Sequence, residues 1–178
     1  MEEDEGDMRD FSCGNQALDH GDYTPRSSLQ PGEAPLVVRA IDDWTGQLMT
    51  CLKYSLSSTP HARSVMQEVR VLKKFRHQNI VEYKGTCIRD GYLHVLVEMC
   101  DGGSIASILS RFGALDEELA LRYARQMLLG LSYLHRHCIV HRHVTCSTCL
   151  VTTTGHIKLA DFGEWRPEAW CVCVCVQA

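Results

Sequence analysis

Four groups of residues in this chain could carry chemistry. Lys53 and Glu68 place an ammonium and a carboxylate fifteen residues apart, and Asp161-Phe162-Gly163 sets a second carboxylate at a turn. His135, His137, Cys138, His141, His143, Cys146 and Cys149 crowd a single stretch that includes a C-x-x-C, while Cys171, Cys173 and Cys175 alternate with valines further on. Taken singly, each has an ordinary reading. A lysine and a glutamate can form an exposed surface pair, and an aspartate ahead of Phe-Gly can be a turn residue. A C-x-x-C without a second pair at proper spacing is a weak signal for zinc or thiol redox chemistry. The last three thiols share one face if that stretch is extended, and read as incidental rather than as ligands or lipidation sites.

Composition narrows the classes. The chain has 178 residues, 45% of them apolar, enough for one ordinary domain or a small lobe with part of a second. A net charge of -4 without a basic run argues against nucleic acid. No apolar stretch approaches the ~20 residues a membrane span needs, and the acidic start is opposite in charge to a secretory leader. A soluble cytoplasmic protein follows as the expectation, with its ten cysteines mostly reduced.

The elements that must position these residues follow from periodicity. Residues 1–30 carry six acids in the first ten and few branched apolar side chains, so a disordered tail is expected. Leu36 to Val38 and Leu48 to Leu56 read as strands around an Asp42–Gly46 turn, and Thr59-Pro60 opens a helix with Val65, Val69 and Leu72 on its buried stripe. Ile80 to Tyr83 and Leu93 to Met99 read as strands around Arg89-Asp90-Gly91. Helices are expected over Ile105–Phe112 and Asp116–His135, the second with Leu119, Ala120, Tyr123, Ala124, Met127, Leu128, Leu131 and Leu134 on its apolar side. Leu150-Val151 and Ile157–Leu159 read as a short hairpin leading into Asp161.

Several phrases stand in this order. They are Thr50-Cys51-Leu52-Lys53, Arg76-His77-Gln78-Asn79-Ile80-Val81, Val95 through Ser104 with Asp101-Gly102-Gly103, His141-Arg142, and Lys158-Leu159-Ala160-Asp161-Phe162-Gly163. Together they resemble a serine/threonine protein kinase domain of the MAP kinase kinase kinase type over about Ala34 to Gly163. The resemblance implies an α+β, protein kinase-like fold: a small β-rich N-lobe with one helix over 31–100, and an incomplete, mainly helical C-lobe over 101–163. A non-family, Cys-rich tail would occupy 164–178. It implies ATP and Mg²⁺ as cofactors, with Lys53 on the phosphates, Glu68 as its helix partner and Asp161 on the metal. Val97 would be the gatekeeper, Glu98, Met99 and Cys100 the hinge, and Gly32, Val38 and Leu150 further nucleotide contacts. The resemblance already accounts for His135 and His141.

The sequence also departs from that pattern. Of the glycine-rich phosphate loop only Gly32 remains, with Gln30 and Pro35 in place of the outer glycines. His143 stands where the family has its aspartate base, Thr145 where it has a lysine, and Thr148 where it has a metal-binding asparagine. The chain stops fifteen residues after Gly163, which leaves the apolar side of the Asp116–His135 helix short of cover. The expectation is a pseudokinase or kinase fragment with weak ATP binding, working with MAP kinase pathway proteins. The rivals are an active ATP-dependent kinase with His143 as a substitute base, and a metal- or redox-active Cys/His protein.

Overall fold

The computed structural model describes residues 11–17, 35–56, 65–66, 69–70 and 72–160, with the backbone alone for 11–17. Five antiparallel strands make the first part: β1 (Phe11–Ala17), β2 (Leu36–Asp42), β3 (Leu48–Ser55), β4 (Tyr83–Arg89) and β5 (Tyr92–Glu98), in spatial order β1-β2-β3-β5-β4. Turn chemistry joins them. Asp42 Oδ1 accepts the N–H groups of Trp44 and Thr45 at 2.9 and 2.8 Å, closing the β2–β3 turn. Asp90 and Gly91 both have positive φ, 53° and 76°, as a two-residue hairpin loop requires.

Two expectations are corrected here. Within the tail expected to be disordered, 11–17 form β1, paired with β2 from Phe11 opposite Asp42. An edge strand is held by main-chain hydrogen bonds, which do not need branched apolar side chains. The strand expected over Ile80–Tyr83 begins only at Tyr83. Residues 79–81 bond to the far hairpin instead: Leu159 N–H donates to Asn79 O and Val81 N–H to Leu159 O, both at 3.0 Å.

The helical residues 65–66, 69–70 and 72 bury Val65, Val69 and Leu72, while Thr59 and Pro60 lie outside the described residues. Val65 and Val69 pack on Val81, Leu93, Val95 and Val97; Leu72 and Phe75 pack on Ile80, Leu134 and Ile139. Each such buried aliphatic side chain contributes about 1.5–3 kcal/mol over an exposed one.

The second part holds α1 (Ile105–Phe112), α2 (Glu117–Arg136) and the hairpin of β6 (Cys149–Val151) with β7 (Ile157–Leu159). Ser104 caps α1 by accepting the Ser107 N–H, and Asp116 caps α2 by accepting the Leu119 N–H. Glu117 and Glu118 in the first turn of α2 and His135 and Arg136 in the last suit its dipole. Tyr123 of α2 packs with Ile105, Cys149, Val151, Ile157 and Leu159, and Leu119, Met127 and Leu131 flank them. Ala120 and Leu128, expected on the apolar side, are exposed. Leu121 and Leu128 lie two turns apart and are 63% and 65% exposed, because α1 and the β6–β7 hairpin cover only the opposite side of the helix. No described helix is long and apolar enough to cross a membrane.

Gly130 lets α2 press against the first part of the fold. A Cβ there would come within 2.8 Å of Asn79 O and 2.9 Å of Leu159 Cδ1. On an isolated helix, Gly→Ala would gain about 1 kcal/mol. Here Gly130→Ala is expected to lose about 1–3 kcal/mol in a urea melt, because Asn79 and β7 must move aside. A variant as stable as the parent would show that α2 does not bear on that loop.

Candidate functional site

In an antiparallel pair, residues directly opposite one another project to the same face. Leu52 is opposite Val37 on β2 and Val95 on β5, and Thr50 is opposite Val97. This inner face gathers Leu93, Val95 and Val97 with Val65, Val69 and Ala160, and Leu52, Tyr54, Cys100 and Leu150 pack on the same group. Lys53 instead is opposite Leu36 and His94, and Cys51 is opposite Val38 and Leu96. Val38, Ala40, Met49, Cys51 and Leu96 form a separate cluster on the outer face. Electrostatics agree with the geometry: burial first, and the Lys53 ammonium second, hold the His94 imidazole below its ordinary value.

Two sequence expectations are therefore corrected. Lys53 and Val38 lie on the outer face, and Leu52 and Val37 hold the inner positions. A strand alternates its side chains, so once Cys51 and Val38 are buried together Lys53 cannot share a face with Val97. The signal was present in the sequence: Leu52, Tyr54 and Leu56 form an alternating apolar series that leaves Lys53 on the other side.

The hinge expectations fare differently. Val97 is buried on the inner face, as a gatekeeper would be. The Glu98 side chain is engaged within the protein. Its Oε1 accepts the Glu82 N–H at 2.7 Å and meets Lys158 Nζ of β7 at 2.7 Å, with the two side chains only 18% and 13% exposed. Met99 and Cys100 follow half-buried, and Gly103 N–H donates to Cys100 O at 3.2 Å. Burial, then the Glu98 carboxylate, pushes the Cys100 thiol up to about 12, so it stays protonated. Beyond the hinge, Gly102 N–H donates to Val151 O and Val151 N–H to Gly103 O, which seats Leu150 beneath the inner face.

The loop from His141 to Cys149 is closed by its own hydroxyls. Thr148 is fully buried; its Oγ1 donates to His143 O at 2.8 Å and accepts the Thr145 N–H at 2.9 Å. Thr145 Oγ1 lies 3.3 Å from Thr148 Oγ1 and accepts the Thr148 N–H at 3.3 Å. Neither hydroxyl carries charge. Thr148 does not fit the metal-ligand role assigned to its position, and Thr145 does not fit that of a cation. His143 N–H donates to His141 O at 2.8 Å, and Arg142 between them adopts φ 60°, an uncommon conformation for a residue with a Cβ. Cys149 Sγ sits 3.3 Å from Met127 Sδ, and burial, then Cys146, pushes its thiol up to about 11. That leaves little thiolate for redox chemistry. Among the described residues, no three His, Cys, Asp or Glu side chains gather closely enough to hold a metal ion.

Gly32, Glu68, Asp161 and the thiols at 171, 173 and 175 lie outside the described residues. Asn79 and Gln126 gained no role from the sequence, yet they hold the two parts together. Asn79 Nδ2 donates to Gln126 Oε1 at 3.1 Å and to Ile157 O at 3.0 Å, and Gln126 Oε1 also accepts the Ile157 N–H at 2.9 Å.

A protein kinase domain family model matches residues 23–166. The chain is 43% identical to mouse mitogen-activated protein kinase kinase kinase 19 over 115 residues, 65% of this chain and 9% of that protein. It is 48% identical to the Arabidopsis thaliana mitogen-activated protein kinase kinase kinase ANP1 over 109 residues, 61% of this chain and 16% of that protein. A crystal structure of Rad53 residues 1–466 in complex with AMP-PNP superposes with a TM-score of 0.70 at 24% identity, covering 87% of this chain and 38% of that chain. The likeness is one of fold: an antiparallel-sheet lobe followed by a partial helical lobe. The chain spans less than a fifth of the length of these two sequence relatives.

The face assignment of β3 predicts a titration. His94 is expected to protonate below 6.5, and Lys53→Met to raise that value, followed by NMR of the imidazole. An unchanged His94 would place Lys53 elsewhere. The unfolded chain binds the proton more tightly than the fold does, so this histidine makes stability fall as pH drops below about 6.5.

Proposed function

Because the chain belongs to the protein kinase domain family, we propose that it acts in MAP kinase signalling as a pseudokinase, a binding module that holds ATP weakly and transfers no phosphate. The observation that carries this reading is the arrangement of β3, with Leu52 inward and Lys53 outward. Phosphoryl transfer depends on positioned groups and on charge that meets the phosphates. An aliphatic side chain supplies neither.

The loop supports the same reading. With His143 in place of a carboxylate, the loss of a positioned base costs roughly 10²–10⁴ in rate. Thr145 and Thr148 spend their hydroxyls on each other and on the loop backbone. The residues present fit the adenine end of ATP, since Val37, Val97 and Leu150 offer apolar surface beside the Met99–Cys100 backbone. Among the described residues, Leu52, Thr145 and Thr148 supply no charge for a triphosphate with Mg²⁺. The pathway assignment rests on similarity to MAP kinase kinase kinases, and proteins of that pathway are the proposed partners.

With radiolabelled ATP, Mg²⁺ and a general protein acceptor, the purified chain is expected to incorporate no more label than a protein-free blank. Incorporation above that blank would make the chain an active kinase and end this proposal.

A further inference from the structure

One side of α2 is turned outward and carries both apolar and basic side chains. Leu121 and Leu128 are 63% and 65% exposed, Leu129 is half-exposed, and Arg122, Arg125 and Arg136 are exposed with them. At about 100° per residue these six fall within roughly a third of the helix circumference. The opposite side, with Tyr123, Gly130 and Leu134, is the buried one. No acidic residue follows Glu118 in the helix, so the outward side is cationic along most of its length. A contiguous apolar strip of this kind on a globular domain marks a contact surface.

The chain itself holds a segment of matching chemistry. Trp170-Cys171-Val172-Cys173-Val174-Cys175-Val176 contains no charged, hydroxyl or amide side chain, and a protonated cysteine behaves as a small apolar group. The link before it, 161–169, carries Asp161, Glu164 and Glu168 against Arg166, an acidic excess that complements the arginines of α2. Reach is sufficient. The described residues end at Ala160, next to Leu159, which packs with Tyr123 on the buried side of α2. The stretch from Ala160 to Trp170 spans up to about 33 Å, more than is needed to pass around a helix about 10–12 Å across. A tethered segment also meets the face at a high effective concentration, which a second copy of the chain does not. We propose that residues 170–176 lie along the Leu121–Leu128 side of α2, which makes that face the docking surface for the chain's own tail. The inference does not depend on what the cleft binds.

Labelling of the full chain with a maleimide, read by peptide mapping, tests it. Cys171, Cys173 and Cys175 are expected to react at least about tenfold more slowly than in urea, whereas the exposed Cys138 and Cys146 stay within about twofold of their urea rates. Leu121→Glu with Leu128→Glu puts two carboxylates on the outward face, where no buried packing is lost, and is expected to bring the tail thiols to their urea rates. The buried Cys51 reports whether that variant is folded. Arg122→Glu with Arg125→Glu, a second variant that reverses the charge, is expected to speed the tail thiols severalfold. Dilution of the parent by about a hundredfold is expected to change nothing, because a contact within one chain does not depend on concentration. Tail thiols as reactive in the parent as in urea, protection that survives both pairs of glutamates, or protection that fades on dilution would each overturn the inference, the last by giving the face to a second copy.

Discussion

A β-strand gives each side chain one of two faces, and in this molecule that alternation decides which side chains of β3 turn to the inner face. The register of β3 is fixed from both sides. Cys51 buries with Val38 and Leu96 on one face, while Leu52 meets Val37 and Val95 on the other. A slip of one residue would bring Lys53 inward and turn every apolar partner the wrong way. No local adjustment of the lysine alone reaches the inner face. The burial of at least four aliphatic or thiol side chains thus outweighs any gain from placing an ammonium near a nucleotide, since each is worth about 1.5–3 kcal/mol when fully covered.

The two parts of the fold are joined with comparable firmness. Asn79 donates to both Gln126 and Ile157, and the main chain of 79–81 bonds to Leu159 on either side. Behind the hinge, Glu98 and Lys158 meet with little exposure, and Glu98 also takes a main-chain N–H. Removing one member of such a pair leaves a charge in a poor environment, which costs more than the pair itself stabilises. The interlobe contact is therefore polar and specific, and the apolar contacts fill in around it. A cleft framed in this way keeps its shape whether or not its catalytic groups survive.

Much of this was legible in the sequence, and the failures share a physical origin. Helix α1 falls where the sequence puts it, α2 within a residue at each end, and the β6–β7 hairpin within one residue, because caps, periodicity and glycines act locally. The order of motifs put Val97 and Leu150 in one neighbourhood, and both pack on the same apolar cluster. Lys53 was misread because a motif counts positions along the chain, whereas the face of a strand depends on its partners. Tail residues 11–17 gave no apolar signal because an edge pairing uses the backbone. Thr148 kept its position in the motif, but its burial and its bonds to His143 and Thr145 became visible only once the loop was closed.

Leu52 joins these points into one physical trade. An ammonium on the inner face would need a carboxylate partner, and would sit beside Val65, Val69, Val95 and Ala160 at a desolvation cost of several kcal/mol if unpaired. Leucine removes that demand and adds apolar contact between the helical segment, the sheet and the end of β7. Active sites are commonly strained or charged at the expense of stability, and relieving them stabilises the fold while ending the chemistry. The hydroxyl bonds of Thr145 and Thr148 follow the same logic, since they satisfy the loop's own N–H and C=O groups where the family pattern places a cation and a metal ligand. Both changes replace charge with contacts internal to the framework, at two separate places. That exchange is the physical ground of the proposed role, in which the fold presents a shape to partners rather than turning over a substrate.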